Sequence, residues 1–293
     1  MRWGLSLGGG SLRGAAHIGV LKVLDSEGLR PVAIAGTSAG AIVGALYAAG
    51  LTGQEIENLV LTLNKRTVFD KALKPCQYPA VLGKVLLDLL GFNPSWKLPL
   101  GLFLGDNLAK EVALYTQNYR LSDLSMKTAI NAVDLDTGEE IIFTNAKMKN
   151  EDNTIYVDGF LWEAVRASIS LPGIFTPYKW QNRRLVDGGV SALNPAKILR
   201  RMGLPFVIAI DVSLEATDSP APDNFVEVLL RSFDLLGYRK NKEELRLYAD
   251  LTVEAGYKGV GLKEFTKIEE CIAFGEKAMR DALKKTGISI LRQ

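Results

Sequence analysis

Across 293 residues the chain has one histidine, His17, and two cysteines, Cys76 and Cys271. The cysteines lie far apart with no metal-ligand spacing, which argues against a disulfide framework and fits a reducing compartment. The lone histidine excludes a Ser-His-Asp triad of the hydrolase type, because that order needs a histidine late in the chain and none follows residue 17. No apolar run is long enough to span a bilayer; the longest, residues 81–92, carries Lys84 and Asp88. The N-terminal Met1-Arg2-Trp3-Gly4-Leu5-Ser6-Leu7-Gly8 lacks the apolar h-region of a signal peptide and reads as a first strand. Dense basic runs are missing, and 35 Lys+Arg against 33 Asp+Glu leave a formal charge of +2. That balance argues against a nucleic-acid partner. The expectation is a cytoplasmic protein whose contact with membranes, if any, is peripheral.

What is present suits a packed core. Hydrophobic residues make up 47% and charged residues 23%, and the length suits one domain over residues 1–293. The first fifty residues read strand, loop, helix, strand, loop, helix: an apolar start, a helical pattern over 14–27 ended by Gly28, an apolar stretch at 31–35, and a helix over 41–49. That alternation predicts a parallel sheet with helices on its faces. Thr52 with Glu55 three residues later signals a helix N-terminus. Residues 69–105, with Pro75, Pro79, Pro94 and Pro99, break the rhythm and form the candidate cap or lid. Within it, Leu82, Val85, Leu86, Leu89, Leu90, Phe92, Trp96 and Phe103 could line an acyl chain or meet a lipid surface; the reading favoured here is buried core. Further on, the pattern predicts a helix at 107–119, strands at 127–133 and 140–144 joined by a turn, a helix at 160–168, a strand ending at Asp187, a helix from Pro195, a strand at 206–212, and helices at 224–247 and 265–284.

Two glycine-rich turns carry the chemistry. Gly36-Thr37-Ser38-Ala39-Gly40 is a G-x-S-x-G pentapeptide between an apolar strand and an Ala-rich helix. A nucleophilic serine needs such a turn, so that its hydroxyl is presented and its backbone strain is tolerated; the plainer alternative is a helix-capping serine. Gly8-Gly9-Gly10-Ser11-Leu12-Arg13-Gly14 also lies between strand and helix, where bare backbone N–H groups suit an oxyanion. It fits neither the phosphate-loop nor the dinucleotide pattern. With no late histidine, the base for Ser38 is expected to be a carboxylate, and Asp187 in Asp187-Gly188-Gly189, at the end of a short strand, is the best candidate. An ordinary Asp-Gly turn is the competing reading. His17 is expected to pack or cap rather than catalyse.

Together, Gly9–Gly14, the Ser38 pentapeptide, Asp187-Gly188-Gly189, residues 14–21 and Ala167-Ser168-Ile169-Ser170-Leu171-Pro172-Gly173-Ile174-Phe175 resemble the patatin-like phospholipase family over about residues 4–212. The bacterial single-domain branch, related to the catalytic region of neuropathy target esterase, is the most similar. The resemblance implies a three-layer α/β/α sandwich with a mostly parallel central sheet, like that of acyl-carrier-protein transacylases, with helices after about residue 212 packed on the core. It implies a lipid-ester hydrolase without metal or other cofactor. Ser38 is then the nucleophile and Asp187 the general base. Gly9, Gly10, Ser11, Leu12 and Arg13 form the oxyanion loop, with Arg13 orienting it or meeting an anionic substrate; Gly14, Gly36, Gly40, Gly188 and Gly189 support the turns. One departure stands out: Ser11 replaces the last glycine of the family's run. A thioesterase or acyltransferase using the same pair, a non-catalytic lipid-binding regulator and a nucleotide-binding protein are the rival readings.

Overall fold

Short strands that are buried along their whole length need both faces covered, and two layers of helices cover them here. The computed structural model describes residues 2–63, 68–72, 78–92, 95, 100–148, 153–215, 218, 221–261 and 264–287. In chain order the first elements are β1 (Trp3–Leu7), α1 (Ala16–Ser26), β2 (Ala33–Gly36), α2 (Ala39–Ala48), α3 (Gly53–Thr62), α4 (Tyr78–Leu89), β3 (Gly101–Phe103) and α5 (Asp106–Tyr115). Then follow β4 (Lys127–Asp134), β5 (Glu140–Thr144), β6 (Thr154–Val157), α6 (Leu161–Ser168), β7 (Gly173–Phe175), β8 (Tyr178–Trp180) and β9 (Arg183–Asp187). The last are α7 (Ala196–Arg201), β10 (Phe206–Asp211), α8 (Phe225–Tyr248), β11 (Leu251–Glu254) and α9 (Ile268–Thr286).

The sheet runs in the order β11-β10-β1-β2-β4-β5-β6, and β11, β10, β1, β2 and β4 run parallel to one another. β5 and β9 pair antiparallel with β4, and β8 pairs with β9. The period-two alternation of the strands sorts the core into layers. Leu5, Leu7, Ile34, Ile208 and Ile210 pack with α1, α2 and α9, whereas Ala33, Ala35, Ala129, Val207 and Ala209 pack with Ile198 and Leu199 of α7. This is the expected three-layer, mostly parallel architecture.

The C-terminal helix is docked backbone to backbone. A Cβ on Gly19 of α1 would fall 2.0 Å from the Ile272 carbonyl oxygen, and one on Gly275 of α9 would fall 2.0 Å from that of Ala16. Only glycine at both points lets the helices approach so closely.

The excursion at 69–105 is held at its ends. Asp70 accepts hydrogen bonds from the Gly105, Asp106 and Asn107 amides at 2.5, 2.8 and 2.9 Å and so caps α5. Phe69 packs against Phe103, Phe175 and Phe265. Between these ends the expectation of buried core is not met: Leu86, Leu89, Leu90 and Phe92 are exposed, Leu89 by 79%. The apolar character of this run reflects uncovered surface, which sequence pattern alone does not separate from core. Cys76, Trp96 and the side chains of Leu82 and Val85 lie outside the described residues. Short strands β3, β6, β7, β8 and β11 were not expected from the sequence pattern; each has three or four residues.

Candidate active site

The turn after β2 is forced into shape by its glycines. A Cβ on Gly36 would lie 2.4 Å from the Gly40 carbonyl oxygen, and one on Gly40 would lie 2.1 Å from that of Leu7. Between them Ser38 takes φ 54° and ψ −117°, a strained conformation for a residue with a side chain. It stands half-buried at the N-terminus of α2, presented to the cavity described below. Its backbone N–H donates to Ser168 Oγ at 2.9 Å, which pins the strained residue from below.

Asp187 ends β9, opposite Ala132 of β4, and is buried. Its N–H donates to the Ser170 carbonyl at 3.0 Å, and its Oδ1 accepts from the Gly189 N–H at 2.7 Å. The segment from Ala167 to Phe175, which sequence reasoning matched to a family pattern without a role, therefore tethers both residues: Ser168 holds Ser38, and Ser170 holds Asp187. Arg166 supports it by donating to Ser170 Oγ at 2.7 Å. Burial raises the Asp187 carboxyl from its ordinary 3.8 to about 6, partly opposed by the Gly189 hydrogen bond and by the Ser38 side chain. A carboxyl with that pKa is ionised at neutral pH yet basic enough to take a proton.

The glycine loop lies alongside: an ideal Cβ on Gly9 would be 3.4 Å from Ser38 Cβ. Its amides are not equivalent. Gly9 N–H is committed to the Leu193 carbonyl at 2.8 Å, and Arg13 N–H to the Gly10 carbonyl at 3.2 Å. These two amides of the expected oxyanion loop are thus occupied, whereas those of Gly10, Ser11 and Leu12 have no hydrogen-bond partner among the described residues. Ala39 N–H, at the start of α2, likewise has no partner among the described residues; sequence reasoning passed over it, although the residue after an elbow serine is a regular donor in hydrolases. Ser11 has φ 54°, the backbone region that favours glycine, which fits the glycine the family pattern carries at that position. Arg13 faces inward: Nε donates to the Val212 carbonyl at 3.1 Å and Nη2 pairs with Asp234 at 3.3 Å. These contacts tie the glycine loop to Val212 and to α8.

His17 is buried, with Nε2 2.8 Å from the Gly8 carbonyl oxygen. Burial lowers its pKa to about 4, so at neutral pH it is uncharged and Nε2–H is the donor. It buttresses the glycine loop from behind and does not line the cavity, matching the expectation that it packs.

Above Ser38 and Asp187 opens a cavity of about 370 Å³. Ile42, Val60, Leu108, Ile169, Leu171 and Phe175 give it an apolar wall. Phe69, from the excursion, contributes to it, and so does the N-terminal half of α8, through Leu230, Phe233 and Asp234. The α8 contribution was missed from sequence, since that helix carries no motif. Among the described residues no helix is long and apolar enough to cross a membrane.

An elbow serine after the parallel strand β2 and a buried carboxyl at the end of the antiparallel strand β9 come together at one edge of the α/β sheet, and comparison with known proteins assigns the family. The family profile described as patatin-like phospholipase matches residues 5–200, and the chain belongs to that family. Patatin-like phospholipase domain-containing protein 6 of Homo sapiens is 32% identical over 217 residues, covering 73% of this chain and 14% of its own length. Lysophospholipase NTE1 of Meyerozyma guilliermondii is 27% identical over 230 residues, covering 77% of this chain and 13% of its own. The chain thus spans about one eighth of the length of these curated relatives. Among solved structures, VipD from Legionella pneumophila superposes with a TM-score of 0.49 at 12% identity, covering 97% of this chain and 66% of that one.

Proposed function

We propose that this protein hydrolyses acyl esters of lipids through a covalent acyl-serine on Ser38, with Asp187 as the general base. The observation that carries the reading is the pairing of a strained elbow serine with a buried carboxyl of raised pKa, both at the floor of one apolar cavity. Asp187 takes the Ser38 hydroxyl proton as Oγ attacks the ester carbonyl carbon. The carbonyl electron pair moves to oxygen, where the Gly10, Ser11 and Ala39 amides stabilise the charge. Collapse of this intermediate expels the alcohol, which leaves with the proton from Asp187. Water then attacks the acyl-serine, Asp187 takes its proton, and the second collapse releases the fatty acid and returns the proton to Ser38. No step calls for a histidine, a metal or another cofactor. The apolar wall suits an acyl chain, and the names of the curated relatives point to a lysophospholipid or phospholipid ester. The nucleotide-binding alternative is disfavoured because the loop fits neither the phosphate-loop nor the dinucleotide pattern.

The test is fatty-acid release from a lysophospholipid by wild type, Ser38→Ala and Asp187→Asn. Release by wild type alone supports the reading. Lipid binding without release by folded wild type would instead favour a non-catalytic lipid-binding protein. Transfer of the acyl group to an added alcohol in preference to water would make it an acyltransferase.

A further inference from the structure

The sheet register leaves one polar residue where two strands change over. β5 occupies one edge of β4. On the other edge Gly36 of β2 stands opposite Ile130, and Asp187 of β9 stands opposite Ala132. Asn131 is the residue between, at the point where β2 gives way to β9. Its side chain is fully buried. Oδ1 accepts from Thr37 Oγ1 at 2.7 Å, and Nδ2 donates to the carbonyls of Gly188 at 3.2 Å and Ala192 at 3.3 Å. Two carbonyls on one end and a hydroxyl donor on the other fix which way the amide points. Thr37 directly precedes Ser38, and Gly188 directly follows Asp187. The fit against Gly188 leaves no space: a Cβ there would fall 2.4 Å from the Asn131 carbonyl oxygen and 2.5 Å from its side-chain Cγ. Asn131 does not line the cavity, so substrate does not touch it.

We propose that Asn131 is a positioning residue that sets the distance and orientation between Ser38 and Asp187, acting through Thr37 on one side and Gly188 on the other. This rests on the reading of Ser38 and Asp187 as nucleophile and base. A buried amide hydrogen-bonded at both its oxygen and its nitrogen is a rigid link, whereas an apolar residue at the same place would leave both turns free to relax. Misplacement of reacting groups by about 1 Å costs on the order of 10²-fold in rate.

The experiment is a kinetic series on a soluble short-chain ester, measured from below to above pH 6, with wild type, Thr37→Ser, Thr37→Val, Asn131→Asp, Ser38→Ala and Asp187→Asn. Thr37→Val keeps the shape of the side chain but removes the hydroxyl that meets Asn131 and, at 3.2 Å, the Ala192 carbonyl that Asn131 also holds. It is expected to lower kcat on the order of 10²-fold with KM within about twofold, while Thr37→Ser restores wild-type kcat. Asn131→Asp replaces the donor to Gly188 and Ala192 with a negative charge near Asp187, so it is expected to lower kcat and to move the acidic limb of the pH profile upward. If Asn131→Asp does not fold, the Thr37 pair carries the test alone. Wild-type kcat in folded Thr37→Val, or equal losses in Thr37→Val and Thr37→Ser with an unmoved acidic limb, overturns the positioning role. Turnover surviving in Ser38→Ala or Asp187→Asn overturns the underlying reading as well, which separates the two failures.

Discussion

The frame under the cavity and the cover over it are built on opposite principles. In the frame, Thr37, Asn131, Ser168, Ser170 and Asp187 are all buried and linked to one another or to neighbouring turns by hydrogen bonds. In the cover, every described side chain of α8 from Glu227 to Lys240 is at least partly exposed, and Leu235 and Leu236 are exposed by 52% and 77%. The Arg13–Asp234 pair links this half of α8 to the glycine loop, with Asp234 38% exposed. A satisfied buried network holds atoms in place, while a half-exposed helix with few buried contacts opens at low cost. On the proposed function, the rigid part lies where bonds would break and form, and the exposed part where an acyl chain would enter.

The largest expected effect strikes the frame at its chemical centre. Ser38→Ala and Asp187→Asn should each lower kcat by about 10⁴-fold or more, measured as ester turnover. Asp187→Asn should also be more stable than wild type at neutral pH. The sign follows from linkage: the folded carboxyl near 6 lies above its ordinary 3.8, so stability falls as pH rises through that window and the cost persists above it. Removing the charge should recover up to about 3 kcal/mol above pH 6 and nothing below pH 3.8, read from denaturant midpoints at several pH values. Wild-type turnover should in turn fall as pH drops through about 6, as the base becomes protonated. Stability gained where activity is lost would mark the frame as strained for function.

Next comes packing beneath the frame. Gly275→Ala or Gly19→Ala should cost about 3 kcal/mol or more, because each Cβ would meet a backbone carbonyl and not a movable side chain. Thermal unfolding measures it.

The cover should respond differently. Leu230→Ala and Phe233→Ala should leave stability within about 1 kcal/mol, given their partial exposure, yet raise KM for long acyl chains several-fold more than for short ones. Equal effects on all chain lengths would break the distinction between frame and cover. The smallest effect belongs to the exposed ridge at the end of α4: Leu89→Gln with Leu90→Gln should change stability by less than about 0.5 kcal/mol. Turnover of lipid in vesicles should fall while turnover of a dissolved short ester stays put, if that ridge meets the lipid surface.

The same contrast explains what could be read in advance. The elbow, the glycine loop and the Asp187 turn are local patterns, in which a few adjacent residues dictate a turn, so they were legible in the sequence. The alternating first half of the chain likewise gave the parallel sheet. Asn131 was visible only as a polar residue within the apolar run Ala129-Ile130-Asn131-Ala132-Val133; its partners lie 94 and 57 residues away, at Thr37 and Gly188. The division of the loop amides into engaged and unengaged was hidden as well, because the Leu193 carbonyl that takes Gly9 N–H arrives from the turn after Asp187. Cover and core could not be separated between residues 82 and 103, since an exposed apolar ridge and a buried one share one composition. The role of α8 at the cavity was invisible for the same reason.

The most direct test of the central claim is intact-mass analysis after treatment with a fluorophosphonate, comparing wild type with Ser38→Ala. The account predicts one adduct per wild-type chain and none on the variant. A folded wild-type protein that stays unlabelled, or a Ser38→Ala variant that labels as readily, would contradict it.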